Sequence, residues 1–417
     1  MSQSTATRRD ALLRLAAFLP KAGRHYSAHR NLDKGAEHQD SVSGLSAYIR
    51  HRMITEREVM SAVLATHSPA QAEKFIQEVL WRAYFKGWLE HRPQVWARYR
   101  DDLRDAQAGL SGGNKSYHQA ISGRTGISVF DAWAAELVAT GYLHNHARMW
   151  FASIWVFTLK IPWVLGADFF LRHLCDGDPA SNTLSWRWVA GLHTAGKTYL
   201  ATKENIERFA GARFFQYGQP QGLDRLAGRA VALVEPPLPA PAMPQLPQLP
   251  VEAPAGGLLL TEEDLSLDVT FSPTGVCLFM PTDEALLPMA AGVRAFKDAA
   301  GRDALARAAV KWPAAQVTGI ASAIAQVVDW VVEQQFDCLY VAYVPQGYIR
   351  DIFSELTQAL SGVGCQLLYL MHDYDRLIWP HTAKGFFGLK RHISGLLETL
   401  DLVRPEGVEP VNEQLEF

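Results

Sequence analysis

Between residues 141 and 209 the sequence places acids, an arginine and an amide within otherwise apolar helical runs. Asp176 and Asp178 lie in a compact polar turn, Asn182 follows at once, and Arg148 lies on the preceding helical run. Buried charges are tolerated only when they are paired and hydrogen-bonded. We therefore expect these four side chains to converge on one another and on a polar, planar ligand.

Indole side chains accompany these polar groups. Trp186 and Trp188 lie on either side of Arg187, and Trp163 lies on the run before the polar turn. Each indole could simply pack in a core, but a core does not require this mixture of indoles and charges.

The whole stretch resembles the flavin-binding core of the photolyase/cryptochrome family, with the same order and spacing over about forty residues and no gap. The matching positions are Asn145, Arg148 and Met149; the segment 161–163, which ends in Trp163; the turn 176–182, DGDPASN; and the pair Trp186 and Trp188.

The resemblance implies FAD as cofactor and roles for particular residues. The cofactor-binding residues it implies are Ser43, Leu45, Ser46, Asn145, Arg148, Asp176, Asp178 and Asn182. The catalytic residues are Trp163, Asn182 and Trp186, and the substrate-binding residues are Glu78, Trp81, Asn145, Met149 and Trp188. An amide at Asn182 facing the reactive flavin nitrogen favours repair, because plant-type cryptochromes often have Asp there.

A small polar segment at 41–46 precedes a helical run, and free backbone N–H groups at such a position can hold phosphate oxygens. The resemblance assigns the dinucleotide phosphates to this segment, although Gly44 stands where the family usually has Arg. The alternative is an ordinary helix N-cap.

The run 70–92, ended by Pro93, predicts a helix with Glu78, Trp81, Arg82 and Phe85 on one face. The resemblance places such a Glu and Trp against a flipped-out pyrimidine dimer. The alternative is a solvated Glu–Arg pair on an amphipathic helix. His146 departs from the family, which commonly has Arg there; His146 would help most when protonated.

Trp186 and Trp163 resemble the first two members of the tryptophan chain that photoreduces the flavin. The position expected for the third tryptophan is occupied by Leu110, so the tryptophan chain is incomplete. The candidate replacements are Trp133, Trp150, Trp155 and Tyr117.

The composition limits the partners. The 417 residues carry a net charge of -3 and four cysteines that form no CxxC pair, which favours a reduced cytoplasmic location and argues against a metal site. DNA contact must then come from a local basic patch. The candidates are Arg50, His51, Arg52, Arg187 and Lys197, with a merely solvated face as the alternative.

Two other patterns are weak. Arg8 and Arg9 faintly resemble a twin-arginine signal, but Arg14 interrupts the apolar region and a surface helix explains the segment. The segment 191–198, GLHTAGKT, fits the phosphate-loop pattern without the buried strand that should precede it.

The apolar window 149–165 contains Lys160 and Pro162, which predicts a buried helix rather than a membrane span.

Eight of the nineteen residues 236–254 are proline, which predicts an extended linker. Strand-like runs at 276–280, 338–343 and 366–370 then alternate with helical runs, including one over 315–335. This alternation predicts a Rossmann-like parallel α/β domain. We expect an all-helical FAD-binding domain at 1–215, a linker at 216–257, an α/β domain at 258–400 and a tail at 401–417. Most photolyases carry an α/β domain before the flavin domain, so this one is rearranged or a replacement.

The favoured function is light-driven electron transfer from reduced flavin to a cyclobutane pyrimidine dimer in DNA, as in a deoxyribodipyrimidine photolyase. The alternative is a cryptochrome-like photoreceptor that signals through the α/β domain to a partner, and a third interpretation is a flavoprotein without photochemistry. A second antenna chromophore and the oligomeric state stay open.

Overall fold

The computed structural model describes residues 6–36, 40–248, 254–281 and 288–403. The first part is helical, and the second is a parallel sheet with helices, which confirms the predicted combination of an all-helical and an α/β fold. The predicted tail at 401–417 lies outside the described residues from position 404 onward.

The helices of the first part are α1 (Arg8–Phe18), α2 (Arg24–His29), α3 (Ser46–Arg50), α4 (Glu56–Thr66), α5 (Pro69–Glu90), α6 (Pro93–Ala108), α7 (Lys115–Ile121), α8 (Ser128–Thr140), α9 (Asn145–Ser153), α10 (Trp163–His173), α11 (Pro179–Val189) and α12 (Lys203–Phe214). Those of the second part are α13 (Ala291–Lys311), α14 (Ile324–Gln334), α15 (Tyr348–Gly362), α16 (Asp373–Ile378), α17 (Phe386–Lys390) and α18 (Ile393–Thr399). The strands are β1 (Gly257–Thr261), β2 (Gly275–Phe279), β3 (Gln316–Ala321), β4 (Cys338–Ala342) and β5 (Gln366–Leu370).

Helix α5 is the element around which the functional residues are arranged. A reciprocal capping box between Ser68 and Gln71 and a proline at the first helical position fix where it begins. It contacts α2, α4, α6 and α11 of the helical part and α16 and α17 of the second part. One helix therefore carries side chains to both parts.

The sheet of the described residues has the order β3-β2-β1-β4-β5, with all neighbouring strands parallel. The order reverses between β1 and β4, which is where open α/β sheets usually bind ligands. Glu262, just after β1, accepts hydrogen bonds there from Lys297 Nζ at 2.9 Å and from the hydroxyl of Tyr348 at 2.7 Å. Arg50 of α3 also reaches Glu262, at 3.3 Å. Protein side chains thus fill this crevice.

The predicted helical run over 315–335 is wrong at its beginning. The chain forms β3 first and enters α14 only at Ile324. The pair Val317-Thr318 favours an extended backbone, and pairing with β2 stabilises it at the edge of the sheet. Strand β3 lies at the edge of the sheet and is only partly buried. For this reason its sequence does not alternate between apolar and polar residues.

The proline-rich segment runs without helix or strand in its described part, yet it is attached to the helical part. The backbone N–H of Ala242 donates to the carbonyl of His91 at 3.0 Å, and Nδ1 of His91 lies 3.0 Å from the carbonyl of Ala242. Further along, Arg376 of α16 donates to the carbonyl of Pro247 at 2.7 Å. The segment therefore follows a fixed path between the two parts.

Candidate flavin and DNA site

An arginine of α9 and an aspartate of the turn before α11 form the first pair of the site. Arg148 donates from Nη2 to both carboxylate oxygens of Asp176 at 3.0 and 2.9 Å, and from Nε to the carbonyl of Leu143 at 2.8 Å. Burial alone would raise the pKa of Asp176, but Arg148 and the hydroxyl of Ser46 lower it. Asp176 is therefore held as a carboxylate in one orientation.

Asp178 caps α11 and lies among cations. Its Oδ1 accepts from the backbone N–H of Ser181 at 2.7 Å. Its Oδ2 lies 3.7 Å from Arg50 Nε and 3.6 Å from Lys86 Nζ. Burial alone would raise the pKa of Asp178, but Lys86 and Arg50 lower it well below its ordinary value. Lys86 follows Arg82 by one helical turn on α5, a spacing that could have marked it in the sequence.

Asn182 lies one turn into α11 and is nearly buried. Its Nδ2 donates to the carbonyl of Ala167 in α10 at 2.9 Å, which fixes the amide plane. The carbonyl oxygen of the amide is left as the atom that can accept a bond from a ligand.

The small polar segment lies beside the acidic turn. Oγ of Ser43 accepts from the backbone N–H of Leu45 at 3.3 Å, and Gly44 adopts a φ of 65°. Ser46 bonds to Asp176 through its hydroxyl and accepts from Arg82 Nη2 through its carbonyl at 3.2 Å. The structure thus brings the predicted phosphate segment to the predicted flavin residues.

The predicted substrate residues come from three helices in contact, since α5 packs on α11 and α11 on α9. Glu78 is 39% exposed and lies 3.5 Å from Arg30, and partial burial raises its pKa. Asn145 is exposed, and Met149 is partly exposed. Trp188 stacks on Tyr199 with ring centroids 5.6 Å apart.

Trp81 has a partner that the sequence analysis missed. Its ring stacks on Phe386 of α17, with centroids 3.8 Å apart and planes 10° from parallel. Tyr84 and Phe85 pack against the same indole, both at 5.3 Å. The orientation of Trp81 is therefore fixed in part by the second domain, a contact over about 300 residues that no local pattern signals.

Several buried polar atoms of this region lack a hydrogen-bond partner within the described part of the chain. They include Nη1 of Arg82 and Oγ of Ser181. Oδ2 of Asp178 also makes no hydrogen bond, although it lies 3.7 Å from Arg50 and 3.6 Å from Lys86. An unpaired buried donor or acceptor costs about 1–3 kcal/mol, so a ligand is the natural partner. A guanidinium, a carboxylate and a hydroxyl together fit a ligand that has both hydrogen-bond donors and acceptors. The flavin ring of FAD has both, and its diphosphate adds further acceptors. The residues present therefore fit this cofactor.

Two lines of aromatic rings lead away from the site. Trp186 is edge-on to Trp155 at 6.1 Å, and Trp155 is edge-on to Tyr117 at 6.1 Å. Trp155 and Tyr117 were among the predicted replacements for the third tryptophan. Trp133 and Trp150 instead stack on each other at 5.4 Å.

The second line begins at Trp163, which lies 5.7 Å from Tyr99, and Tyr99 lies 5.2 Å from Trp96. The indole N–H of Trp96 donates to Oδ2 of Asp351 in α15 at 3.0 Å. The sequence analysis overlooked Trp96 and Tyr99, although their spacing of three places them on one face of α6.

The basic run 50–52 is not a DNA surface, contrary to the prediction. Arg50 donates to Glu263 at 2.9 and 2.6 Å, and Arg52 donates to Asp375 at 2.5 Å. Both arginines are at most 5% exposed. Their acidic partners come from the second domain, so the whole run lies buried in the contact between domains.

The other predicted phosphate contacts divide. Arg187 is 1% exposed and pairs with Glu235, so it is unavailable to DNA, whereas Lys197 is exposed. Nδ1–H of His146 donates to the carbonyl of Asn31 at 3.2 Å, and Nε2 of His146 lies 3.2 Å from the hydroxyl of Tyr199. Burial lowers the pKa of His146, which disfavours the protonated form that would help hold a lesion.

The segment 191–198 follows helix α11 rather than a strand, and the next helix begins only at Lys203, which agrees with the rejection of a phosphate loop. In the described ranges no group of three or more His, Cys, Asp or Glu side chains could hold a metal ion. None of the described helices is long and apolar enough to cross a membrane.

Comparison with known proteins agrees with this geometry. The family profile described as "FAD binding domain of DNA photolyase" matches residues 75–212. The chain is 28% identical over 197 residues to the deoxyribodipyrimidine photo-lyase of Neurospora crassa, which covers 46% of this chain and 31% of that protein. It is 32% identical over 203 residues to the mitochondrial deoxyribodipyrimidine photo-lyase of Saccharomyces cerevisiae, with 45% and 34% covered.

Among solved structures, a class III photolyase from Agrobacterium tumefaciens aligns with a TM-score of 0.41 and 27% identity, over 49% of this chain and 43% of that one. The chain spans about a third of the length of the two curated relatives. The match of residues 75–212 covers the helices that carry Arg148, Asp176, Asp178 and Asn182. Residues 75–212 are therefore similar to the FAD-binding domain of DNA photolyases.

Proposed function

We propose that the protein binds FAD and uses light to repair cyclobutane pyrimidine dimers in DNA. The observation that carries the proposal is the Arg148–Asp176 pair, with Asp178 and Asn182 directly after it at the start of α11, beside buried polar atoms that make no hydrogen bond. Helix α5, which carries Glu78, packs on α11. Photolyases are among the relatives, but the chain matches only part of their length.

The cofactor residues divide the work of binding. Arg148 holds the carboxylate of Asp176, while Asp178 offers Oδ2 as an acceptor. The segment with Ser43, Leu45 and Ser46 supplies hydroxyl and backbone N–H groups to the diphosphate, and Asn145 borders the same region. Gly44 leaves this segment without a side-chain cation, so Arg82, with its free Nη1, is the nearby positive group.

A bound, reduced flavin would supply the light-driven electron that splits the dimer. The role of Asn182 is to accept a hydrogen bond from the N–H group of the reduced ring through its carbonyl oxygen, since its Nδ2 is engaged by Ala167. A neutral amide does this without adding a charge.

The lesion binds beside α5, at the surface that carries Glu78 and Trp81, which we call the lesion recess. The dimer must leave the base stack. It stacks on the faces of Trp81 and Trp188 that Phe386 and Tyr199 do not cover. Glu78 bonds to the base edge, and burial raises the pKa of its carboxyl. Met149 and Asn145 complete the wall with one apolar and one polar contact.

The aromatic lines supply routes for electrons between the buried site and its surroundings. Trp186 and Trp163 begin the two lines. We assign the predicted third position to Trp96, because the carboxylate of Asp351 at its N–H stabilises positive charge on the indole and can take its proton.

Flavin retention tests the cofactor site. Asp176→Ala leaves Arg148 as an unpaired cation and removes the anion that orients it, so the purified variant should be colourless where the wild-type protein is yellow. Glu136→Ala is the matched control, since Glu136 is also a largely buried acid paired with an arginine, Arg213. Normal flavin content in Asp176→Ala would contradict the assignment; loss in both variants would mean that general destabilisation is responsible.

One observation favours the alternative function, a flavin photoreceptor. Arg50 lies near Asp178 at the flavin residues and also binds Glu263 of the second domain. A change of charge at the flavin site would therefore alter the ion pair between Arg50 and Glu263 across the domain contact. Under this alternative, flavin is bound and photoreduced, but no dimer is repaired.

A further inference from the structure

A short segment of the second domain, residues 384–391, lies against α5 at the edge of the lesion recess. Its sequence is KGFFGLKR and it includes α17. Two contacts attach it: Phe386 stacks on Trp81 at 3.8 Å, and Lys390 Nζ lies 3.0 Å from Glu73. Glu73 and Trp81 are eight residues apart, so the segment covers about 12 Å of α5 at 1.5 Å per residue. We call it the aromatic–basic segment.

The two phenylalanines of this segment have opposite environments. Phe386 is 5% exposed, whereas Phe387 is 80% exposed. Phe387 borders a surface depression together with Gly388, Lys390 and Arg391. The ring of Phe387 is therefore available for a contact with something outside the chain, on a segment that is otherwise anchored.

Two of the cations around Phe387 have no acidic partner among the described residues. Lys384 and Arg391 are exposed, and no carboxylate of the described residues lies within ion-pair distance of either. The protein as a whole carries a net charge of -3, so this concentration of positive charge is local. Free cations beside an aromatic ring suit a phosphate backbone with bases that can stack.

We propose that the aromatic–basic segment is a second DNA-binding element, contributed by the α/β domain. Phe387 stacks on a base that flanks the flipped-out dimer, while Lys384 and Arg391 contact the phosphates on either side. Phe386 couples this element to the lesion recess because it packs on Trp81. The inference rests on the proposed function, since it assumes that DNA approaches the recess beside Glu78 and Trp81.

The test compares binding of a duplex that contains one thymine dimer with binding of the same undamaged duplex, at several salt concentrations. We expect Phe387→Ala to weaken dimer-duplex binding roughly 5- to 100-fold, the range typical of losing one base stack. Lys384→Ala with Arg391→Ala should lower the slope of log affinity against log salt by about 1.8, or ~0.9 per phosphate contact. The flavin spectrum should not change in either variant.

Matched controls come from α13, which packs on β2, β3 and α10 rather than on α5. Val310→Ala removes an apolar side chain that is 83% exposed, and Arg302→Ala removes an exposed cation. Neither should change the dimer-duplex affinity.

The outcomes separate this inference from the function on which it rests. If the wild-type protein does not bind the dimer duplex, the DNA-repair proposal fails and this inference fails with it. If the wild-type protein binds and Phe387→Ala behaves like Val310→Ala, the inference alone is overturned. If Phe387→Ala loses binding to anionic phosphatidylserine vesicles but still binds the dimer duplex normally, the inference is also overturned, in favour of a membrane surface.

Discussion

Two basic segments of this protein look alike in the sequence but have opposite environments. The run 50–52 is buried between the domains, where Arg50 and Arg52 meet carboxylates of the second domain. The aromatic–basic segment 384–391 lies at the surface, where Lys384 and Arg391 have no carboxylate within reach among the described residues. The first segment is enclosed by the domain contact. The second is anchored to α5 through Phe386 and Lys390 but leaves Lys384, Phe387 and Arg391 exposed to a partner.

The difference shows that clustering of cations does not by itself locate a nucleic-acid surface. The environment of Arg50 is decided by Glu262 and Glu263, which follow β1 more than 200 residues later in the chain. A buried cation with paired carboxylates contributes to the fold, whereas an exposed cation without a partner is available to phosphate. The contrast can be tested through stability, pH and binding.

The largest expected effect is on stability. Arg50→Ala leaves Glu263 and Asp178 buried with Lys86 as their remaining cation, and breaking a buried pair costs up to about 3–5 kcal/mol. The free energy of unfolding in urea should fall by that amount. Arg391→Ala, at the exposed segment, should change it by no more than about 0.5 kcal/mol. Equal effects of the two substitutions would remove the distinction between the segments.

Acid should weaken the domain contact. Burial alone would raise the pKa of Glu262, but Lys297 and Arg50 lower it to about 2 from an ordinary 4.5. A lowered pKa in the folded state contributes stability that is present above the unfolded pKa and is lost as the pH falls towards the folded value. We expect a loss of about 3 kcal/mol between pH 4.5 and 2, at 1.36 kcal/mol per unit.

Thermal unfolding followed from neutral to acid pH checks this expectation. Glu262→Gln should flatten the acid limb of the profile, while Glu398→Gln, at an exposed position of α18, should leave the profile as it is. An acid limb that persists in Glu262→Gln would place the responsible carboxylate elsewhere.

A smaller loss of stability is expected as the pH rises, where the acid effect is a loss as the pH falls. Burial alone would lower the pKa of His372, but Asp264, 2.5 Å from its Nε2, raises it. Arg52 opposes this shift, and Asp375 supports it. The stability from protonated His372 is fully present below its unfolded pKa and is lost as the pH rises through the raised folded value.

The melting temperature should therefore decline slightly above about pH 6.5, the ordinary value for histidine. His372→Gln should remove that decline and keep a polar group beside Asp264. A wild-type profile that stays flat through this range would contradict the assignment of a charged His372–Asp264 pair.

The sequence predicted those features that depend on local spacing. Helical periodicity and the turn 176–182 were enough to expect Arg148 near Asp176, and the apolar runs of β2, β4 and β5 were enough to expect a parallel sheet. Strand β3 was missed because it lies at an edge and is only partly buried. Strand β1 was missed because its few residues directly follow the proline-rich segment.

The contacts that local spacing cannot reveal are those between distant residues. Phe386 on Trp81 and Glu263 on Arg50 each join the two domains, and no periodicity relates their positions. Such contacts decide which predicted cations are buried and which face of Trp81 is covered. For this reason the DNA surface predicted at 50–52 was wrong.

The most direct test of the proposed function is light-driven repair by the purified protein. Its flavin would be chemically reduced, and the protein would be illuminated without oxygen in the presence of an oligonucleotide that contains a thymine dimer. The proposal predicts that thymine absorbance recovers in the light and not in the dark. A flavin that is bound and photoreducible, with no recovery of thymine in the light, would contradict repair and favour a photoreceptor.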